Sequence, residues 1–317
     1  MASPEQFFLA PLQGFTDFAY RKSYHSVFGG FDAYFIPYLS LGPGNKIRNS
    51  QYREVLPQNN QGIPVVPQIL CSNVAELTML ATIIRDFGYE QLNLNLGCPY
   101  PMATNRGRGS ALLEKPDELK RILDALFSDF NFKVSLKFRA GMTDERSIFQ
   151  LIDLLKSYPT EQLIFHPRTA NQLYKGTANR ELFAEFSKEL NCPLTYNGDI
   201  QSPDDLDSIK QLLPEQNSWM IGRGLLSNPF LLNQLNNTLP SKTEQTRLKT
   251  EFHDLILEEY QRTFPDEGQV LMKMKAFWSY FSQSFSNPQK AFKPIKKASS
   301  FTKFKAAYPT VFQQYAD

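Results

Sequence analysis

Eight short apolar runs recur along the chain, and each ends in Gly, Pro or polar residues before a pattern that is usually helical. We predict strands within residues 7–11, 33–38, 64–70, 92–96, 134–139, 163–168, 193–199 and 219–224. Eight strands with mostly helical connections predict an α/β fold, a (β/α)8 TIM barrel. A doubly wound sheet is the alternative. Polar residues cluster where the runs end, at Gln68, Asn95, Cys98, Lys137, His166, Arg168, Asn197 and Arg223. That clustering favours the barrel, whose active site lies at the carboxyl ends of its strands.

The composition changes near Asn236, where a polar linker containing Pro240 begins. Helical patterns follow it. We therefore predict a catalytic barrel over residues 1–238 and a small all-α helical domain over residues 239–317. From Lys273 to Ala316 there are eight lysines and no Asp or Glu. This bias indicates an anionic partner, although a solvated lysine-rich surface would give the same count.

The three cysteines, Cys71, Cys98 and Cys192, are far apart in the chain. Their number and spacing suggest neither a disulfide framework nor a zinc site, and we expect no bound metal. Residues 1–6 have no basic segment or long apolar core, so they do not resemble a signal peptide. No apolar run approaches the ~18 residues of a membrane span. We expect a cytoplasmic protein without a membrane partner.

Two glycine-containing loops predict a phosphate site. Asn197, Gly198 and Asp199 end the seventh run, and Gly222 and Arg223 end the eighth. Barrels commonly bind a phosphate on the loops after these two strands. Glycines let backbone N–H groups approach an anion, and arginine adds a fork of donors. Two ordinary glycine turns with a surface arginine are the alternative.

Cys98 and Lys137 are candidates for chemistry. Cys98 lies between Gly97 and Pro99, after a run with alternating leucines and asparagines. A free thiol titrates near pH ~8.5, so it could donate a proton as well as attack, or simply pack. Lys137 lies among apolar neighbours, where an unpaired charge is costly. It could form a Schiff base or stabilise negative charge on a bound ring. Spacing alone leaves the roles of Gln68 and His166 open.

Taken together, these segments resemble the tRNA-dihydrouridine synthases, flavin enzymes with a (β/α)8 barrel and a helical C-terminal domain. The matching segments follow the order of the barrel: residues 10–14, 67–69, 93–99, 109–113, 137–139, 166–169, 197–200 and 222–224. One departure is Pro167, which stands where we expect a small or polar residue.

The resemblance implies FMN as the cofactor. Its phosphate would lie on Asn197, Gly198, Asp199, Gly222 and Arg223. Its ring site would include Pro11, Leu12, Gln13, Gln68, Lys137 and His166. Lys137 would face the N1/O2 edge of the ring. NADPH would act as a transient reductant, and the chain has no GxGxxG fingerprint of a dinucleotide-binding domain.

The resemblance also implies tRNA as the substrate. A hydride would pass from the flavin to C6 of an extruded uridine, and Cys98 would protonate C5, giving 5,6-dihydrouridine. Extrusion is needed because the target ring cannot stay stacked in RNA and also stack on the flavin. Residues expected to contact the substrate are Asn95, His166, Arg168, Arg106 and Arg108. For the two loop arginines, Arg106 and Arg108, a solvated loop is the alternative. We expect a monomer.

Three alternatives use the same residues differently. An FMN barrel reducing a free small molecule, such as dihydroorotate or an enone, shares the phosphate loops but does not explain the lysine-rich tail. A barrel aldolase would use Lys137 as a Schiff base and would carry no yellow chromophore. A non-catalytic RNA-binding protein would not need Cys98.

Overall fold

Eight parallel strands close into a barrel in a computed structural model that describes residues 4–190 and 192–316. Strands β1 to β8 are Gln6–Leu9, Ala33–Leu39, Val65–Ile69, Gln91–Leu96, Lys133–Gly141, Gln162–Thr169, Leu194–Asn197 and Ser218–Ile221. Closure comes from β1 pairing with β8, with Phe8 beside Met220. The predicted (β/α)8 barrel is confirmed, and the open doubly wound sheet is excluded. All eight predicted runs overlap the strands.

Helical segments follow the strands along the chain and continue after β8. Helices α1 to α14 are Phe18–Val27, Asn49–Glu54, Val74–Asp86, Pro101–Thr104, Pro116–Asp129, Ile152–Lys156, Arg180–Lys188, Pro203–Leu212, Arg223–Ser227, Leu231–Leu235, Lys242–Thr263, Glu267–Phe281, Pro288–Lys297 and Phe301–Tyr315. Two of these helices begin directly after a residue whose side chain caps them. Asp17 caps α1 and Asn73 caps α3 with side-chain oxygens, as Asx residues commonly do.

One predicted helix differs. The pattern over residues 144–157 predicts a continuous α-helix, but Glu145–Leu151 forms a 3₁₀ helix and α-helix begins only at Ile152. The Ser147 hydroxyl donates to the Asp144 carbonyl oxygen at 2.8 Å. Serine hydroxyls that bond to nearby carbonyls compete with the regular helical pattern, which accounts for the tighter first turns.

The described chain contains two compact units. The first comprises Met1–Gln13, Phe31–Asp199 and Asp207–Ile221, and it contains the strands. The second comprises Gly14–Gly30, Ile200–Leu206 and Gly222–Asp317, and it is helical.

The domain boundary predicted after residue 238 stays a prediction. The expectation for residues 1–6 includes residues 1–3, which lie outside the described residues. None of the helices within residues 4–190 and 192–316 is long and apolar enough to span a membrane.

The barrel interior has an apolar cluster and a polar cluster. The apolar cluster consists of Phe8, Ala10, Ala33, Phe35, Val66, Ile164 and Met220. Polar side chains follow the same inward face of β3, β4 and β5, where Gln68 pairs in register with Asn93, and Asn93 with Ser135. Alternate residues of a strand point to opposite faces. The intervening leucines of β4, Leu92, Leu94 and Leu96, are therefore on the outer face, and they are fully buried.

The helical unit has an aromatic core around α11. His253 of α11 is fully buried, with its ring 5.5 Å from that of Trp278 and 4.5 Å from that of Tyr308. Lys249, one turn earlier, donates to the carbonyl oxygens of Ser284 and Ala316 at 2.7 and 2.9 Å. The buried Lys249 ammonium thus has hydrogen-bond acceptors, as buried charges require.

Candidate active site

A chain of side-chain hydrogen bonds crosses three strands inside the barrel. Asn93 donates to Ser135 at 2.8 Å and accepts from Gln68 at 2.7 Å. Asn95 donates to the other amide atom of Gln68, also at 2.7 Å. Gln68 is completely buried, so both amide atoms need these partners. Asn93 and Asn95 set the orientation of the Gln68 side chain. The predicted contact of Gln68 with a flavin ring stays a prediction.

Asn95 also shapes the turn that carries Cys98. Its Oδ1 accepts from the backbone N–H groups of Gly97 and Cys98, at 2.9 and 2.8 Å. The strand ends at Leu96, and the turn follows at once. An Asn side chain that bonds backbone groups two and three residues later stabilises a tight turn. Asn95 therefore positions Cys98, whereas its predicted contact with the uracil stays a prediction.

The Cys98 thiol lies in a mostly apolar environment. It is 7% exposed and packs with Leu70, Ala103 and the ring of Tyr38. Burial raises the pKa of the Cys98 thiol above its ordinary value. The thiol is consequently protonated at neutral pH, which suits a proton donor better than a nucleophile.

Lys137 lies beside Asn95 in the register of β4 and β5. Protein surrounds its ammonium group, although solvent still reaches part of the side chain. Burial, together with the charge of Arg139, lowers the pKa of Lys137 to about 7. No described residue forms a hydrogen bond or ion pair with Lys137, so its N–H groups are available to a ligand.

His166 is held by Arg168. The guanidinium of Arg168 lies 3.1 Å from Nε2 of His166 and bonds the Asp199 carboxylate at 3.0 and 2.5 Å. The carbonyl oxygens of Lys175 and Gly176 accept from its remaining N–H groups. Because arginine can only donate, Nε2 of His166 must accept, and the proton of the neutral ring lies on Nδ1.

The position of Arg168 corrects one predicted role. Its side chain is 1% exposed, and all five N–H donors have acceptors within the protein. It cannot present free donors to a uracil without breaking these bonds. Arg168 therefore orients His166 and neutralises Asp199, and we reassign it from substrate contact to positioning.

Arg108 requires a similar correction. It is 5% exposed and forms a bidentate ion pair with Glu76, and it donates to the Leu41 carbonyl oxygen at 2.8 Å. Burial opposes ionisation of Glu76, but hydrogen bonds from Arg108 and Ser72 hold the pKa of its carboxyl below the ordinary value. All three guanidinium nitrogens of Arg108 are engaged, so it ties loops together instead of meeting RNA phosphate. Arg106, two residues earlier, is exposed.

Arg139 is a residue that sequence reasoning left without a role. Its Nε donates to the Gly97 carbonyl oxygen at 3.1 Å, and Nη1 donates to those of Thr169 and Leu173 at 3.0 and 2.8 Å. It thus joins the turn before Cys98 to the loop after β6. The sequence did contain a signal for this role, because Arg139 lies two residues after Lys137 and therefore on the same inward face of β5.

The two predicted phosphate loops lie at strand ends, as expected. Asn197 donates from its side chain to the Met220 carbonyl oxygen at 2.9 Å, next to β8. A Cβ on Gly198 would lie 2.8 Å from that of Ala178, so this position has no room for a side chain. Gly222 follows β8 directly, and Arg223 is the first residue of α9. Their predicted roles in binding phosphate stay predictions.

The remaining predicted ring contacts follow β1. Pro11 and Leu12 are partly exposed and Gln13 is exposed, just beyond the point where the Ala10 N–H pairs with the Ile221 carbonyl oxygen. Pro167 lies in β6, whose pairing with β5 shifts register at this point. His166 pairs with Arg139, and the next pair is Thr169 with Gly141. A missing N–H is tolerated at such an irregularity.

Solved structures share this barrel. Morphinone reductase is 11% identical, with a TM-score of 0.55 over 74% of this chain and 86% of that one. 2-Naphthoyl-CoA reductase gives the same identity and TM-score over 74% of this chain and 50% of that one. At this identity the likeness shows the fold alone, that of a (β/α)8 barrel.

Sequence relatives narrow the class. A profile of the family described as Dihydrouridine synthase (Dus) matches residues 8–313. A tRNA-dihydrouridine synthase B from Pasteurella multocida is 30% identical, over 73% of this chain and 69% of that one. A probable tRNA-dihydrouridine synthase from Rhodobacter capsulatus is 26% identical, over 83% and 81%. The chain belongs to the dihydrouridine synthase family and is a flavin-dependent oxidoreductase.

The residues at the carboxyl ends of the strands fit a flavin. Lys137 provides N–H donors with no carboxylate partner among the described residues, which suits the electron-rich edge of a flavin ring. The Asp199 carboxylate is neutralised by Arg168, so it would not repel a phosphate. In residues 4–190 and 192–316 no group of three His, Cys, Asp or Glu side chains could hold a metal ion.

Proposed function

We propose that this protein reduces uridine in tRNA to 5,6-dihydrouridine, with FMN as its flavin and NADPH as the reductant. The observation that carries the proposal is a buried, protonated thiol, Cys98, placed by Asn95 at the same end of the barrel as the unpaired Lys137. The names of the relatives support tRNA as the substrate.

The chemical roles follow from the contacts. Cys98 would donate its proton to C5 of the uracil, and a flavin held at this site would supply the hydride. Lys137 would donate a hydrogen bond to the N1/O2 edge of that flavin. His166 contacts the substrate and the cofactor, in the orientation that Arg168 sets through Nε2. Asn95 contacts the uracil and holds the turn.

We further propose that all the residues predicted to bind the cofactor do bind it. Its members beyond Lys137 and His166 are Pro11, Leu12, Gln13, Gln68, Asn197, Gly198, Asp199, Gly222 and Arg223. Gly198 lies in a close-packed turn at this site, where an added Cβ would come within 2.8 Å of that of Ala178. Asp199 would contribute backbone groups, because its carboxylate is engaged by Arg168.

A lysine-rich helix supports RNA binding. On α13, Lys290, Lys293, Lys296 and Lys297 are exposed, whereas Ala291 and Ile295 are buried. No ion pair involves these lysines among the described residues, and Lys303 and Lys305 on α14 are also exposed. A positive surface without neutralising carboxylates suits a polyphosphate backbone. We propose that it binds tRNA, together with Arg106.

The proposal includes the cellular setting. We propose a cytoplasmic monomer, consistent with a tRNA substrate and a reduced Cys98. The helical RNA-binding domain would begin after residue 238.

The direct test is conversion of unmodified tRNA. The purified protein should be yellow, should oxidise NADPH, and should yield dihydrouridine detected by mass spectrometry of digested nucleosides. Dihydroorotate, an enone and free uridine serve as competing substrates. Turnover of a free small molecule without any turnover of tRNA would contradict the proposal, as would a colourless protein that borohydride links to a substrate through Lys137.

A salt titration tests the RNA surface. Replacing Lys293 and Lys296 by glutamine should weaken tRNA binding and reduce the slope of log K against log salt by about two. Lys188→Gln, at an exposed lysine of α7 in the barrel unit, is the matched control. Binding that does not weaken with salt would contradict an RNA interface on α13.

A further inference from the structure

The hydroxyl of Tyr38 contacts the proposed proton donor. Its oxygen lies 4.0 Å from Sγ of Cys98, within the range of a hydrogen bond to sulfur. Tyr38 belongs to β2, and its ring packs against the cluster of Leu70, Cys98 and Ala103. The residue therefore has both a packing contact and a polar contact with the same thiol.

The protonation states give this contact a direction. Burial, and then the neighbouring Cys98, raise the pKa of the Tyr38 hydroxyl far above its ordinary value. The hydroxyl stays protonated over the physiological range. Its oxygen accepts from the Cys98 thiol in this structure, and its O–H can donate to the sulfur once the thiol has lost its proton. The other ionisable groups facing this pair are Arg139 beside Cys98, and Arg48 and Tyr100 beside Tyr38.

We propose that Tyr38 is a positioning residue for Cys98: its oxygen accepts from the thiol and holds it, and its O–H donates to the thiolate formed when Cys98 protonates the substrate. When Cys98 acts, its S–H bond breaks and a C–H bond forms at C5 of the uracil. Sulfur keeps the electron pair, and the Tyr38 O–H bond stays intact. The inference rests on the proposed function, because it assumes that Cys98 gives up its proton.

The stabilisation is large enough to measure. Cys98 lies where burial disfavours the thiolate, so one donor matters more than it would in water. Hydrogen bonds to charged groups are stronger than neutral ones, and losing one should raise the thiol titration midpoint by about one pH unit. Tyr38→Phe removes that donor and keeps the ring that packs on Leu70 and Ala103.

The first experiment reads the thiol and not the turnover. The rate of Cys98 alkylation by iodoacetamide is measured against pH in the full chain, with mass spectrometry resolving each cysteine peptide. Tyr38→Phe should raise the midpoint by about one pH unit. Tyr100→Phe, which removes a nearby phenol that is 46% exposed, is the matched control and should leave it unchanged. An unchanged midpoint in Tyr38→Phe would overturn the proposal.

A second measurement separates positioning from folding. 3-Fluorotyrosine at position 38 is a stronger donor of the same shape, and it should lower the midpoint. This keeps the proposal testable if Tyr38→Phe fails to fold. With tRNA, Tyr38→Phe should lower kcat and leave KM unchanged, and a rise in KM alone would contradict the role. Alkylation needs neither tRNA nor NADPH, so failure of the proposed function would show as absent turnover in the unaltered protein.

Discussion

Gly109 lies directly against the backbone of Cys98. A Cβ on Gly109 would come within 2.6 Å of the Cys98 carbonyl oxygen and 2.8 Å of its Cβ, and the φ of Gly109 is +61°. The same carbonyl oxygen accepts from the Ser110 N–H at 3.1 Å. The segment beginning at Gly109 thus packs against the backbone of Cys98. Glycine is required at position 109 because there is no room for a Cβ and because its φ is positive.

Gly109→Ala should displace Cys98 and reduce dihydrouridine formation by about 10²-fold, because small misplacements of a reacting group cost that much. The measurement is single-turnover reduction of tRNA by the flavin-loaded protein. Gly88→Ala is the matched control, since Gly88 has a φ of +81° but nothing within 4 Å of an added Cβ. Equal losses in the two variants would mean that backbone strain, and not contact with Cys98, is responsible.

Cys98→Ala should retain the flavin and bind tRNA normally while losing most reduction of tRNA. The reason is that the thiol is the proton donor and no flavin or RNA contact depends on it in our proposal. Flavin absorbance, tRNA affinity and dihydrouridine yield should be measured on the same preparation. Cys192→Ala controls for loss of a cysteine, and a fully active Cys98→Ala would refute the catalytic role.

Two arginines in one loop should behave oppositely when replaced by alanine. Arg106→Ala should weaken tRNA binding and lower the salt slope by about one without changing thermal stability, because its side chain is exposed. Arg108→Ala should instead lower the free energy of unfolding by about 3 kcal/mol, since it leaves the Glu76 carboxylate, whose side chain is 16% exposed, without its ion-pair partner.

Thermal unfolding and tRNA titration of both variants test this pair. If Arg108→Ala weakened RNA binding with no loss of stability, our reassignment of Arg108 would be wrong. The double variant Glu76→Gln/Arg108→Ala should recover part of the lost stability, because a neutral amide costs less to bury than a carboxylate.

His253 should make the protein less stable in acid. Burial lowers the pKa of His253, so the folded state keeps the ring neutral. The unfolded ring takes up a proton near pH ~6.5, and the unfolded state therefore binds more protons below that pH. The free energy of unfolding should fall as the pH drops from about 7 to 5.

Urea unfolding at about pH 7.5 and about pH 5.5 measures this contribution, because these values bracket the pKa of ~6.5 of an unfolded histidine. His253→Phe should lose less stability between the two pH values than the unaltered protein does. Equal losses would show that other groups dominate acid unfolding.

The strands were predictable from sequence because their signals are local. Alternation and the Gly or Pro breaks at Gly97 and Pro99 need no knowledge of distant residues. The 3₁₀ helix at Glu145–Leu151 was not predictable, because a serine hydroxyl and not an apolar pattern decides it.

The corrected site residues share another cause. Arg168 lies near the end of β6 and Arg108 lies in the loop after α4, but their partners Asp199 and Glu76 lie 31 and 32 residues away. Sequence shows that a charge is present, but not which distant carboxylate neutralises it. The strand of Lys137 contains no acidic residue, and its predicted role at the flavin stays a prediction.

One oxygen of Asn95 accepts from two successive backbone N–H groups at the end of β4. The backbone of Cys98 is consequently fixed to the end of β4 before any nucleic acid binds. We expect the RNA to make the adjustment when the two meet. Choice among uridines would then depend on how easily each local stretch of tRNA can be deformed.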